Sequence, residues 1–377
     1  MLQPLNKAAF KNKRVLVRVD YNLSYNPESH KVGSVFRIEQ TKKTIDYILK
    51  QYPQHILLLS HFGRPDKYSP DQSLRLFLSA ISQTLKRKIV FLDYRKDISS
   101  LKNELKPGNI YLLDNLRFWP EENNNNSNFA KQLAKLGDVF VNEAFSVSHR
   151  RAASISAITK YLPAYKGFNL QTETETLDKF LHLKAKPFII ILGGAKIADK
   201  LDMLSTFIPK ADAVLLGGGP ANTLISQMGY SVGNSLTEVL AIKGAKLLAN
   251  KKIILPIDWK VQRNGKVISV NLDKVEGKDV IVDIGPQTTM LYARLVTKAK
   301  KIFFNGPLGK SEGLAVAALG TIKTLQAIPH SCFALAGGGD TGSFVEQHKL
   351  SSKFKYLSTA GGATLAYLSG QTLPGLK

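Results

Sequence analysis

The sequence is short of cysteine, of acidic residues and of long apolar runs. Its one cysteine, Cys332, excludes an internal disulfide and a cysteine-based zinc site. No apolar run reaches the ~18 residues that a membrane-spanning helix needs; the run Pro187-Phe-Ile-Ile-Ile-Leu192 is strand-sized. The opening residues, MLQPLNKAAFKNKRV, lack the apolar stretch and small-residue cleavage site of a secretory signal. These absences lead to the expectation of a soluble, cytoplasmic protein. The shortage of acid leaves 52 Lys and Arg against 29 Asp and Glu, a net charge of +23, which raises the question of a nucleic-acid partner. No zinc-finger spacing or RNA-recognition aromatic motif accompanies the charge, and the basic residues are spread along the chain. The expected reading is a basic enzyme surface with weak polyanion binding, no specific nucleic acid and no membrane partner.

What is present fits a globular enzyme. At ~100–200 residues per domain, 377 residues suggest about two or three domains. Short β-branched and aliphatic runs alternate with amphipathic stretches, the pattern of βαβ units in α/β domains with parallel sheets. The first half offers strands at 14–18, 55–60, 89–92, 110–113 and 138–141, with helices at 38–51 and 73–86. The second offers strands at 188–192, 213–216, 253–256, 280–283, 302–304 and 333–335. A helix over 172–183 reads as a connector, placing the boundary near 165–186. The polar run Glu121-Glu-Asn-Asn-Asn-Asn-Ser-Asn128 is expected to be a surface loop.

Ligands of open α/β sheets bind at the carboxyl ends of the strands, so those ends are where chemistry is sought. In the first half they are basic: Asp20-Tyr21-Asn22, His61-Phe62-Gly63-Arg64, Asn115-Leu-Arg117 and Ser148-His149-Arg150, with Arg37 opening a helix. Guanidinium groups from separate loops grip carboxylate and phosphate bidentately, so a bowl for a small, multiply charged anion is expected. In the second half the strand ends are glycine-rich: Gly193-Gly-Ala-Lys196, Gly217-Gly218-Gly219, Asn305-Gly-Pro307-Leu-Gly309, Gly337-Gly338-Gly339-Asp340-Thr341 and Ala360-Gly-Gly-Ala363. Glycine lets backbone approach phosphate, and the following helix N-terminus attracts it, so this half is expected to hold a nucleotide. Lys196 and Lys200 lie four apart and share a helix face.

Two motif matches mislead. Phe304-Asn-Gly-Pro-Leu-Gly-Lys-Ser311 resembles a P-loop but has Phe304 where the opening glycine belongs. Residues 337–342 fit G-x-G-x-x-G, yet no acid follows Glu346 to hold a dinucleotide ribose, and Asp340 would face the pyrophosphate. Asp340 makes better sense as a Mg²⁺ ligand beside nucleotide phosphates. Cys332, before the same loop, is expected to be merely buried.

Taken in order, the motifs resemble the phosphoglycerate kinase family along essentially the whole chain. The matches are Arg18-Val-Asp20-Tyr-Asn22, Ser60-His-Phe-Gly-Arg-Pro65, Asn115-Leu-Arg-Phe-Trp-Pro-Glu-Glu122, Asn142-Glu-Ala-Phe145 with His149-Arg150, Leu192 to Lys200, Asn305 to Gly309, Gly337 to Thr341 and Leu373-Pro-Gly375. The resemblance implies a bilobed fold of two doubly wound, Rossmann-like domains. Residues 1–165 would bind 3-phosphoglycerate or 1,3-bisphosphoglycerate, 166–186 would be the interdomain helix, 187–360 would bind Mg-ADP or Mg-ATP, and 361–377 would return to the first lobe. It assigns Asp20, Tyr21, Asn22, Arg37, His61, Phe62, Gly63, Arg64, Arg117 and Arg150 to the phosphoglycerate. Lys200, Gly217, Gly218, Asn305, Pro307, Glu312, Gly338, Gly339, Asp340 and Thr341 would serve the nucleotide, Asp340 also the Mg²⁺. Arg37 and Lys196 would stabilise the phosphoryl group in flight, in a monomeric enzyme whose lobes close around both substrates. The chain departs from the pattern at Asp114, Ser146-Val-Ser148, Ala152, Gln171, Lys310-Ser311 and Ala360. An inactive paralogue, a NAD-type dehydrogenase and a polyanion-binding protein are the alternatives.

Overall fold

The computed structural model describes residues 2–93, 98, 100–195, 200–238, 249–310, 318–358 and 360–377. The chain divides into two compact units: Met1–Thr176 with Thr372–Lys377, and Leu177–Gln371.

The first unit is built on strands β1 (Gln3–Pro4), β2 (Arg14–Arg18), the two strands of a small hairpin β3 (Tyr25–Asn26) and β4 (Lys31–Val32), then β5 (His55–Leu59), β6 (Ile89–Leu92), β7 (Ile110–Leu113), β8 (Val139–Asn142) and β9 (Ala164–Lys166). Except for the hairpin they form one seven-stranded sheet, ordered β1-β9-β8-β2-β5-β7-β6, parallel throughout. Side chains alternate across a strand. Val15, Val17, Ile56, Leu58, Leu112 and Val141 therefore pack on one face, and Leu16, Leu57, Leu59, Leu113 and Phe140 on the other. Helices cover both faces, as a parallel sheet requires.

The second unit has a six-stranded parallel sheet, β12-β11-β10-β16-β17-β18. Its strands are β10 (Phe188–Leu192), β11 (Ala213–Leu216), β12 (Ile253–Ile254), β16 (Lys301–Asn305), β17 (Phe333–Gly337) and β18 (Tyr356–Ser358). One expected member is elsewhere. The run at 280–283 forms β15 (Val280–Ile284) in a separate antiparallel sheet with β13 (Asp258–Arg263) and β14 (Lys266–Asn271). The cause is the two-residue turn Asn264-Gly265, both at positive φ (48° and 77°), which folds β13 back on β14.

The helix Phe168–His182 carries the chain from the first unit into the second. Its first turn is held by Glu143, whose carboxylate accepts from the backbone N–H of Asn169 at 3.1 Å and Leu170 at 3.3 Å and from the Thr44 hydroxyl at 2.6 Å. The last stretch, expected as a whole to return to the first lobe, divides. Gly362–Leu368 is a helix of the second unit, with Thr364 hydrogen-bonded to Ser358 at 2.7 Å at the end of β18. Thr372–Lys377 belongs to the first unit, where Gly375 donates to the Ser148 carbonyl at 2.9 Å.

The polar run 121–128 is not a free loop. Pro120–Asn123 and Ser127–Ala134 are helical, Asn126 caps the second by accepting from Phe129 N–H at 3.0 Å, and Glu122 is buried. Local hydrogen-bonding capacity, which makes such residues read as loop, here serves helix ends.

Candidate active site

In the first unit the carboxyl ends of β2, β5, β7 and β8 bring one cluster together. Beyond β2 the chain stays extended, so Val19, Tyr21 and Leu23 turn into the core while Asp20 and Asn22 turn the other way. Arg37, in the first turn of the helix Phe36–Leu49, pairs with Asp20 at 2.6 Å and donates to the Asn22 carbonyl at 3.3 Å. Asp20 also accepts from the Ser146 hydroxyl and from Asn22 N–H, the latter at 3.1 Å. His61 Nε2 stands 3.9 Å from Asp20, and its Nδ1 lies 3.2 Å from the Arg18 guanidinium.

The loop after β5 is fixed from both sides. Gly63, at φ +59°, donates to the Asn22 side chain at 3.0 Å, and its carbonyl accepts from Arg117. Asn115 clamps the Phe62 backbone in both directions, at 3.0 and 2.6 Å. Two of the expected residues keep their side chains out of the bowl. The Tyr21 ring is wholly buried, its hydroxyl 2.9 Å from Thr41, and the Phe62 ring packs edge-on against Phe77 at 4.7 Å. Their side chains support the bowl without facing it.

A cavity of about 600 Å³ in this unit is lined by Arg18, Arg64, Arg117 and Arg150 among others. Burial comes first in the electrostatics. It pushes Arg117 down to about 10, helped by the neighbouring Arg150 and Arg18. It holds His61 well below its ordinary value against the pull of Asp20, with the charges of Arg18, Arg117 and Arg37 acting in the same direction as burial. His61 is therefore neutral at pH 7. Burial also raises Asp20, but Arg37, His61, Ser146 and Asn22 together bring that carboxyl below the usual range. A site crowded with guanidinium groups and holding a neutral histidine is arranged for an incoming anion.

Reading the sequence missed several supporting residues. Arg18 ends β2 almost completely buried, donating to Ser154 at 2.8 Å. Ser154 in turn donates to Glu122 at 2.6 Å, and burial raises that carboxyl above its ordinary value. An arginine closing a strand whose three central residues are apolar was the available signal. Residues 142–148 fasten the bowl to its surroundings: Ser146 binds Asp20, Glu143 caps the connecting helix, and Asn142 donates to the Gly375 carbonyl at 2.9 Å. Nothing in the sequence marked Ser146 or Glu143 for those roles.

In the second unit the strand ends lie side by side, because Leu192 registers with both Asn305 and Leu216, and Gly337 with Ser358. Their loops interlock through backbone. Gly194 donates to the Pro307 carbonyl at 2.8 Å, Gly218 to Leu308 at 2.7 Å and Gly219 to Gly194 at 2.9 Å. A Cβ on Gly193 would stand 2.0 Å from the Pro307 oxygen, and one on Gly219 1.9 Å from the Ala195 oxygen. Packing of loop on loop therefore accounts for these glycines before any ligand is considered. Gly306 donates to Thr341 Oγ1 at 3.0 Å, and Asn305 donates to the Gly337 carbonyl at 2.5 Å.

Two helices begin at this edge, Gly218–Gln227 after Gly217 and Gly339–Gln347 after Gly338 (φ +115°), and neither has a side-chain cap. Uncapped N–H groups at such ends attract anions. Lys200 is buried with its amine near Gly194. Asp340 sits exposed in the first turn of the second helix, with no ion pair to any described residue. Among the described residues no group of three or more His, Cys, Asp or Glu could hold a metal unaided. Lys196 and Glu312 lie outside the described residues. Phe304, where a P-loop would open with glycine, is a buried residue of β16, and Cys332 is buried with its thiol pushed up to about 11.

Known proteins resemble the chain over its whole length. A family model described as phosphoglycerate kinase matches residues 5–371. The phosphoglycerate kinase of Moorella thermoacetica is 37% identical over 382 residues, spanning 97% of this chain and 95% of the relative. That of Wolbachia pipientis wMel is 38% identical over 381 residues, with 97% and 95% covered. Among solved structures, the phosphoglycerate kinase of Coxiella burnetii aligns with TM-score 0.82 at 32% identity, over 100% of this chain and 98% of that one. That of Pyrococcus horikoshii OT3 aligns with TM-score 0.85 at 29% identity, with the same coverage.

Proposed function

We propose a division of labour among these residues from the premise that the chain belongs to the phosphoglycerate kinase family. It is an enzyme of glycolysis that transfers the acyl phosphate of 1,3-bisphosphoglycerate to ADP, reversibly, giving 3-phosphoglycerate and ATP. The 3-phosphoglycerate carboxylate is already ionised at pH 7, so the transfer needs alignment and charge stabilisation, not a general base.

The first-unit bowl takes the phosphoglycerate. Arg64, Arg117 and Arg150 hold its charged groups, Asp20 and Asn22 its hydroxyl end, and His61 stays neutral beside them. Asp20 has a second duty. By pairing with Arg37 at 2.6 Å it fixes that guanidinium; Arg37 and Lys196 are assigned the role of stabilising the equatorial oxygens of the moving phosphoryl group. The glycine loops of the second unit take ADP or ATP, with Lys200, Thr341 and the helix N-termini at Gly218 and Gly339 on the phosphates, Gly217, Asn305 and Pro307 shaping the loops, and Glu312 on the ribose.

Mg²⁺ fits the second unit. Asp340 is an exposed hard oxygen donor without an ion-pair partner among the described residues, and such an ion is commonly held by one or two carboxylates together with substrate phosphates. When bound, it neutralises phosphate charge. This reading takes the enzyme to be a monomer acting in the cytoplasm. Separately, no described helix is long and apolar enough to cross a membrane.

The observation that carries this reading is the bowl of fixed guanidinium groups at the carboxyl edge of the first sheet, in a chain matched from residue 5 to residue 371. The test is a coupled assay with ATP, Mg²⁺ and 3-phosphoglycerate. ADP formation that depends on both substrates is expected; its absence would identify an inactive paralogue.

A further inference from the structure

We propose that Arg151 is a further substrate-binding residue, one that sets the affinity of the bowl for the phosphoglycerate anion; this rests on the assignment of the bowl to phosphoglycerate. Arg151 lines the same cavity as Arg18, Arg64, Arg117 and Arg150.

Three observations single it out. The first is commitment. Arg18 is tied to Ser154 at 2.8 Å and to His61 at 3.2 Å, and Arg117 is tied to the Gly63 carbonyl. Both line the cavity with part of their hydrogen-bonding capacity already committed to the protein. Arg151 is exposed and has no ion pair or hydrogen bond to any described residue, so its guanidinium is free to meet an anion entering the cavity. The second is the neighbouring wall. Ala152 and Ile155 line the cavity beside it with no polar side-chain atom, leaving recognition on that side to Arg150 and Arg151. Two forks on adjacent residues can grip one phosphate dianion through several charge-assisted bonds.

The third is charge. Five guanidinium groups line the cavity against the two carboxylates of Asp66 and Glu122, an excess of three positive charges when both acids are ionised. A phosphoglycerate carries a phosphate dianion and a carboxylate, three negative charges. Without Arg151 the lining falls one short of neutralising its ligand. Attraction of this kind acts on encounter as well as on the bound state.

The test is initial-rate kinetics on the whole enzyme with Arg151→Ala, Arg151→Lys and Arg64→Ala, each checked for an unchanged unfolding curve. For Arg151→Ala, KM for 3-phosphoglycerate should rise ~3–10-fold, the size of a partly screened charge-assisted contact, with kcat and the ATP KM within about twofold of the parent. Arg151→Lys should fall between, because it keeps the charge and loses the fork. Arg64→Ala tests the bowl itself. If Arg64→Ala raises the phosphoglycerate KM and Arg151→Ala does not, the inference fails and the bowl stands. If neither moves it, both fail. A parallel rise in the ATP KM with Arg151→Ala would mark a structural role and overturn the inference.

Discussion

On the proposed assignment, the two units meet the same anion, phosphate, with opposite materials. The first offers side chains: guanidinium groups of Arg18, Arg37, Arg64, Arg117 and Arg150, several locked by Asp20, Ser154 or a backbone carbonyl. The second offers backbone: loops at 193–195, 217–219 and 306–308 that hydrogen-bond one another and leave two helix N-termini uncapped. The contrast has a physical lesson. A side-chain site can be graded, one charge at a time, whereas a backbone site tolerates no added carbon where its loops touch.

The largest effect expected is on chemistry. Arg37→Ala and Lys196→Ala should each lower kcat ~10²–10³-fold, the usual cost of losing a donor to transition-state charge. Steady-state kinetics checks it; a normal kcat with only a raised KM would remove the assignment.

Next comes the backbone site. Gly193→Ala and Gly219→Ala each push a carbon to within 2.0 Å of a carbonyl oxygen. Overpacking of this kind costs roughly 1–3 kcal/mol. Calorimetry should show Mg-nucleotide binding lost and 3-phosphoglycerate binding kept. Asp340→Asn should weaken Mg-nucleotide binding with the same selectivity and without the stability loss, since Asp340 is exposed.

A smaller effect separates the units by pH. Burial raises Glu143 to about 8, against the pull of Thr44, Asn169 and Leu170. Burial likewise raises Asp283 to about 7, against the N–H groups of Gly320 and Ile284. A carboxyl whose folded value lies above its unfolded one binds its proton more tightly when folded. Its contribution is therefore complete at low pH and is lost as pH rises through the folded value. The first unit should lose roughly 1–2 kcal/mol between pH 7 and 9, and the second should complete its loss about one pH unit earlier. Denaturant unfolding with Glu143→Gln or Asp283→Asn should flatten the respective slope.

How much of this could be read from the sequence follows the same division. The central parallel strands of both sheets were legible because each is buried on both faces and reads as an unbroken apolar run; the short, partly exposed edge segments Gln3–Pro4, Ala164–Lys166 and Tyr356–Ser358 carried no such run and were missed. The strand-end arginines and glycines were legible as types. Alternation along 19–23 was there to read and would have placed Tyr21 in the core and Asp20 in the bowl. Asn264-Gly265 was a hairpin signal, and overlooking it put 280–283 in the wrong sheet. Other features had no local signature. Glu143 reaches a helix 26 residues on, and Ser146 reaches Asp20 across 126; only the fold brings them together. The glycines were read as phosphate contacts, and loop-on-loop packing explains several of them first.

The central claim, side chains in one unit against backbone in the other, is tested most directly by salt. Exposed and half-buried charges are screened by added ions far more than fixed backbone dipoles at close range. Calorimetric titration of the whole enzyme with 3-phosphoglycerate alone, and with Mg-ADP alone, at about 0.05 M and about 0.5 M KCl spans that screening. The phosphoglycerate Kd should weaken several-fold more than the nucleotide Kd. Equal weakening of the two, or a greater loss for the nucleotide, would contradict the division.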